Sequence, residues 1–323
     1  FVPSRGLGDV YKRQADGLIE NFKPGTLEKW GMSPEELHKI NPKLIIVRVS
    51  GFGQTGPSAN RPGFASIGEA MGGIRFINGF PNTPPPRFGI SLGDTLTAMF
   101  AVEGFLMALF EREKNNGKGQ IVDAAITESC FSMLESTLTE YDKCGIIRKP
   151  SGTGLANVAP SNIYPTLDEN FVVVAANLDP MFKRLCEAMD KVEWASDPRF
   201  IDHKARGDNA SELDSLISDW TKTLTMKDIG QKLDDHGVVW GPINSIEDIV
   251  EDEQFKSREM ILEIDDETFG SLKVPGIVPK LSKTPGKVNW LGPQKVGSHN
   301  NEVLSELGFS DEDQKELLDK KII

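Results

Sequence analysis

Apolar residues run from Leu96 to Phe110, broken only by Thr97, Glu103 and Gly104, and stop at Glu111-Arg112-Glu113. Such a run predicts a helix buried on most sides, and by itself it is too short to span a bilayer. A second run, Leu44-Ile45-Ile46-Val47-Arg48-Val49-Ser50, is nearly continuous and β-branched, the pattern of a strand covered on both faces in a parallel sheet. Ahead of it, Ser33-Pro34-Glu35-Glu36 combines a cap, a first-turn proline and a third-position Glu, with Met32 and Leu37 placed as a staple. Asn41-Pro42 ends that helix. Helices are predicted over 94–113 and about 126–143, joined by the turn 115–119 and a short strand over 120–124. Pro150, Gly152, Gly154, Pro160 and Pro165 then mark a linker or binding loop and a domain boundary. Beyond it the pattern predicts a strand over 171–176, a helix over 179–190 and capped helices from near Ser211 and Thr225. A hairpin follows around Phe269-Gly270, and Ser310-Asp311-Glu312-Asp313 opens a last helix. Helix and strand alternate, so the class is α/β.

Charge narrows the partners. A formal net charge of -12 argues against a general nucleic-acid or anionic-membrane partner, and a phosphate-bearing small molecule would need a local basic patch. Cys130, Cys144 and Cys186 show no C-x-x-C spacing, which fits a reducing, cytoplasmic compartment. Cys130 and Cys186 sit in apolar helical contexts and read as core. Residues 1–14 mix Arg5, Asp9, Lys12 and Arg13 without an apolar stretch, so they read as a non-native junction ahead of a patterned sequence from Ala15, not as a signal peptide.

Several motifs fail on context. Gly51-Phe52-Gly53-Gln54-Thr55-Gly56 matches a dinucleotide fingerprint after a strand, but Pro57 and Pro62 leave no room for the helix that a pyrophosphate needs. It reads as a glycine-rich loop. His38, His203, His236 and His299 share no metal-ligand spacing, and no G-x-S-x-G elbow supports a serine hydrolase. The acidic run Glu247, Asp248, Glu251, Asp252, Glu253 reads as a solvated helical face.

Gly93-Asp94-Thr95 stands at the mouth of the apolar run. Asp94 is most economically an N-cap. A capping carboxylate is held ionised by backbone N–H groups, and such a group can also act as a nucleophile without a neighbouring base.

Taken in order, several stretches resemble the family III CoA-transferases of the CaiB/BaiF type, which include formyl-CoA transferase and carnitine CoA-transferase. They are ADGLIENFKPG (15–25), NPKLI (41–45), SGFGQTGP (50–57), Gly93-Asp94, GKGQ (117–120), GVVWGPIN (237–244) and HNNEVLSELG (299–308). The resemblance spans 15–323. It implies a Rossmann-like parallel-sheet large domain and a smaller α/β domain in an interlocked homodimer, with a further N-terminal segment that this chain lacks. The divisions implied are a large CoA-binding domain over 15–147, a linker and active-site loop over 148–170, a small domain over 171–262, and a segment over 263–323 returning to the large domain.

The activity implied is movement of CoA between an acyl-CoA and a free carboxylic acid, with Asp94 falling on the attacking aspartate. Gly93 and nearby backbone donors are expected to stabilise the oxyanion. CoA is a substrate, and neither a metal nor a tightly bound cofactor is implied. Asn21, Phe22, Lys23, Lys29, Arg61 and Phe64 fall where relatives line the CoA site, and Gly152, Thr153 and Gly154 resemble a mobile loop over the reacting acyl group. Arg61, Arg87, Arg148 and Lys149 are candidate partners for a dicarboxylate. The similar 2-methylacyl-CoA racemases carry a proton-transferring histidine where this chain has Phe64, and Asp179 alone cannot supply two-sided proton exchange. A racemase and a non-catalytic CoA-binding remnant remain the alternatives.

Overall fold

The computed structural model describes residues 14–115, 117–292 and 295–323, so the junction expected over 1–14 lies outside it apart from Gln14. The continuous apolar strand resolves by its period of two. In β2 (Ile45–Ser50), Ile45 and Val47 pack with Ala101, Ala108 and Ala124, whereas Ile46 packs on the opposite face with Leu37 and Leu44. Both faces are dry because helices cover both. β2 is the middle strand of a parallel sheet between β1 (Gly17–Glu20) and β3 (Ile121–Ala125), with Arg48 in register with Glu20 and Asp123. The crossovers carry the helices Pro34–Ile40 and Leu92–Lys114. Gly119 enters β3 so close to β2 that a Cβ would overlap the Leu44 carbonyl.

Caps agree with the pattern in places and depart from it in others. Ser33 accepts from the Glu36 N–H, and Thr225 accepts from the Asp228 N–H. The helix expected near Ser211 begins at Ala210 after Asn209. The single helix expected over 126–143 is two, Ile126–Ser132 and Thr137–Cys144, parted where Glu135 takes a φ of 51°.

The helix from the long apolar run also differs from expectation. It extends to 23 residues, Leu92–Lys114, which is long and apolar enough to cross a membrane, although the run alone is not. Only its stripe of Gly93, Thr97, Ala101, Ala108 and Arg112 is buried, while Met99, Val102, Leu106, Met107 and Phe110 are exposed. The sheet covers one face of a helix that is apolar nearly all round. Arg112 anchors its far end through the Asp16 carboxylate at 2.7 Å and the Lys43 carbonyl at 3.1 Å.

The chain divides into two compact units, one ending at Gly241 and one from Pro242 to Ile323, so the division falls inside the segment 171–262. The first unit also holds, but for Pro242 at the end of its last strand, a sheet ordered β4 (Ser161–Pro165), β5 (Phe171–Ala175), β6 (Trp240–Pro242), in which β4 and β5 are antiparallel. Val172 and Val174 point inward with Phe182, Leu185, Cys186, Leu213, Ile217, Ile229 and Leu233. The second unit holds the hairpin β7 (Ile261–Asp266) and β8 (Gly270–Pro275), turning at Gly270 with φ 72°, and the helices Asn300–Glu306 and Asp311–Asp319. Ser310 and Asp313 form a capping box there.

Candidate active site

The carboxyl ends of β1, β2 and β3 open on a cavity of about 520 Å³, the position where parallel sheets place their ligands. Asn21, Phe22, Lys23, Arg61, Phe64 and Asp94 all stand on its wall, with Ser50, Gly51, Thr97 and Ile126 among the residues between them. These groups come from five separate stretches of chain. The turn after β1 carries Asn21 to Pro24, and the Asn21 amide donates to the Val49 carbonyl at 2.9 Å. The loop after β2 carries Arg61, whose guanidinium lies 5.2 Å from the centre of the Phe52 ring. Phe64, 78% exposed, precedes the helix Ala65–Met71.

Asp94 is not the N-cap. Ser91 takes that place and Asp94 is the third residue of the helix, exposed toward the cavity, with no hydrogen bond or ion pair engaging its carboxylate among the described residues. The helix starts early because the Gly93 N–H finds an acceptor outside it. Glu69, 1% exposed, takes that N–H on Oε1 at 3.1 Å. The Gly93 N–H is therefore spent and is not free to stabilise an oxyanion. Gly93 itself allows close approach, since a Cβ there would stand 3.1 Å from Ile126 Cγ2 and 3.2 Å from the Ala65 carbonyl. Thr97 locks the same turn by donating to the Gly93 carbonyl at 2.7 Å.

Other expected site residues stand elsewhere. Lys29 ends a one-turn helix, Thr26–Lys29, exposed and not part of the wall. Gly152, Thr153 and Gly154 are also absent from it: the Gly152 N–H donates to the Gly79 carbonyl at 3.0 Å, and Thr153 donates to Asn162 at 2.6 Å. Local bonds to the Gly79 turn and to β4 hold that loop. Arg148 is paired with Glu135 and Glu140. Asp179 pairs with Arg206 at 2.6 Å, which holds its carboxyl below the usual carboxylate range.

Residues missed in the sequence have a common signal, a polar side chain inside an apolar element. Glu69 lies in ASIGEAM and Arg48 in IIVRV. Ser50, at the end of the same strand, is among the lining residues, and its hydroxyl is buried with no partner among the described residues. The glycine loop 51–56 leads into no helix before Ala65, and its Gln54 N–H is taken by the Asp123 carboxylate at 2.9 Å. Among the described residues no cluster of His, Cys, Asp or Glu could hold a metal ion.

Behind Asp94, burial and then the charges of Glu69 and Asp94 push the Cys130 thiol up to about 11, and burial pushes that of Cys186 up to about 12. Iodoacetamide at about pH 8 is therefore expected to modify exposed Cys144 and spare the other two, because the thiolate is the reactive form. Peptide mass spectrometry of the native protein checks this. Equal labelling of Cys130 would show that the packing behind Asp94 opens.

A family model described as CoA-transferase family III matches residues 12–300. The chain is 48% identical over 309 residues to succinyl-CoA–D-citramalate CoA-transferase of Chloroflexus aurantiacus, covering 95% of this chain and 76% of that protein. It is 39% identical over 313 residues to the succinyl-CoA–L-malate CoA-transferase beta subunit of the same organism, covering 96% and 77%. A solved CaiB/BaiF family protein from Brucella suis superposes with a TM-score of 0.79 at 32% identity, covering 95% of this chain and 79% of that one.

Proposed function

The chain belongs to CoA-transferase family III, and from that premise we propose that it moves CoA from succinyl-CoA to a second dicarboxylic acid, with Asp94 as the nucleophile. Succinyl-CoA is the donor named for both Chloroflexus relatives. The observation that carries the reading is the Asp94 carboxylate, engaged by no hydrogen bond or ion pair among the described residues, on the wall of a cavity it shares with Asn21, Phe22, Lys23 and Arg61. Lys23 and Arg61 supply the local positive charge that an acidic chain needs to hold an anionic thioester.

The Asp94 carboxylate attacks the thioester carbonyl, the C–S bond breaks, and CoA leaves as thiolate while the acyl group remains as a mixed anhydride on Asp94. The thiolate then attacks the Asp94 carbonyl, releasing succinate and leaving CoA on Asp94 as a thioester. The acceptor carboxylate and the thiolate repeat the two exchanges in reverse, which frees Asp94. Every step trades one carboxylate or thiolate anion for another, so no proton moves and no general base is required. Phe64 is no handicap to such a reaction. The enzyme's task is orientation and stabilisation of each tetrahedral oxyanion.

Racemisation needs proton donors on two faces of the α-carbon, and the engagement of Asp179 by Arg206 adds to the case against it. Incubation with succinyl-CoA, isotopically labelled succinate and a panel of C4 and C5 acids, read by mass spectrometry, tests the proposal. Label entering the thioester and CoA appearing on a second acid are expected. Deuterium uptake at the α-carbon from heavy water without exchange would establish the racemase instead, and CoA binding without turnover of any acid would establish the non-catalytic remnant.

A further inference from the structure

We propose that Arg48 is a positioning residue for the acyl-CoA wall, clamping both flanks of the turn that carries Asn21, Phe22, Lys23 and Pro24. The inference rests on the acyl-CoA reading of the cavity. Arg48 is 5% exposed in the middle strand of the parallel sheet, in register with Glu20, which is 4% exposed. Its Nε donates to Glu20 Oε1 at 2.7 Å. Its two terminal nitrogens fork onto Glu28, Nη1 to Oε1 at 2.8 Å and Nη2 to Oε2 at 3.3 Å. Glu20 precedes the turn and Glu28 follows it. The second oxygen of Glu20 accepts the Phe22 N–H at 2.7 Å, so the guanidinium reaches the main chain of the wall through one carboxylate. Asn21 bonds the Val49 carbonyl, one residue beyond Arg48.

Both ends of the turn and its first residue are thus referenced to two adjacent positions of β2. A buried ion network of this kind adds little net stability, because desolvation offsets the attraction, and apolar residues of similar size often serve as well. Its geometry is the part that apolar residues cannot reproduce. A planar fork fixes the angle between two carboxylates, whereas a lysine ammonium is a point charge that cannot span both in one plane.

The test uses the full chain with two variants. Arg48→Lys keeps the charge and loses the fork, and Glu28→Gln weakens one arm at a half-exposed side chain, where misfolding is not expected. Amide exchange over 21–25 without ligand is expected to quicken in both. KM for succinyl-CoA is expected to rise about tenfold in Arg48→Lys, near the share of one charge-assisted hydrogen bond, with a much smaller change in kcat. A merely structural role would lower the melting temperature and the active fraction without raising KM. Unchanged exchange over 21–25 in folded variants overturns the clamp, as does a fall in kcat at constant KM. If the parent chain turns over no acyl-CoA, quickened exchange at Phe22 still establishes the clamp while the functional reading falls by itself.

Discussion

Asp94→Asn is expected to cut the exchange of labelled succinate into succinyl-CoA by about 10³-fold or more, because a carboxamide cannot take the place of a carboxylate nucleophile. The shape of the side chain is kept. Stability should hardly move, since the carboxylate engages no hydrogen bond or ion pair among the described residues and the helix start depends on the bond from the Gly93 N–H to Glu69. The loss is confined to the favourable placement of a negative charge in the first turn, about 0.3–1 kcal/mol. Parallel thermal melts and exchange assays separate the two effects. Exchange within tenfold of the parent, in a variant that melts normally, would remove Asp94 from the reaction. An equal loss in Asp94→Ala, with KM for succinyl-CoA little changed, would place its contribution after binding, as an attacking group requires.

The sheet was legible because β2 states its own environment. Ile45, Ile46 and Val47 leave no polar face, and only a strand between two helical layers can be that apolar. The turn from Asn21 to Pro24 and the loop to Phe64 were legible as stretches in order, and the geometry brings them to one cavity with Asp94. Misreadings came from partners distant in sequence. Asp94 has the composition of a cap, but a buried carboxylate 24 residues upstream accepts the N–H that defines the first turn. Lys29 and the Gly152 loop stand off the wall of the cavity, on a one-turn helix and on bonds to Gly79 and Asn162, and their expected roles are not decided by that placement. The apolar run from Leu96 predicts a covered helix, whereas the sheet has only one face to offer it.

Arg206→Met is expected to destabilise the first unit by about 3 kcal/mol or more, because buried carbonyls left without a donor cost about 1–3 kcal/mol each. Arg206 is fully buried and donates to the carbonyls of Ala159, Phe200 and Asn177 at 3.3, 3.0 and 2.7 Å, and to Asp179 at 2.6 Å. Its guanidinium also lies 4.7 Å from the centre of the Phe182 ring, so methionine keeps part of the packing while three carbonyls and the Asp179 carboxylate lose the bond from Arg206. Equilibrium urea unfolding measures the difference, and a loss below about 1 kcal/mol would show that water or rearrangement satisfies those carbonyls. The pH dependence carries a sign. Asp179 titrates below its ordinary value in the folded chain because of Arg206, so its contribution is present above the unfolded value, roughly 3.9, and is lost as pH falls through the folded one. The gap between parent and variant should therefore narrow on acidification below about pH 4 and stay constant above about pH 5. A gap that instead stayed constant through the acid range would mean that Asp179 is not held by Arg206, and would return it to the pool of acids free to move a proton.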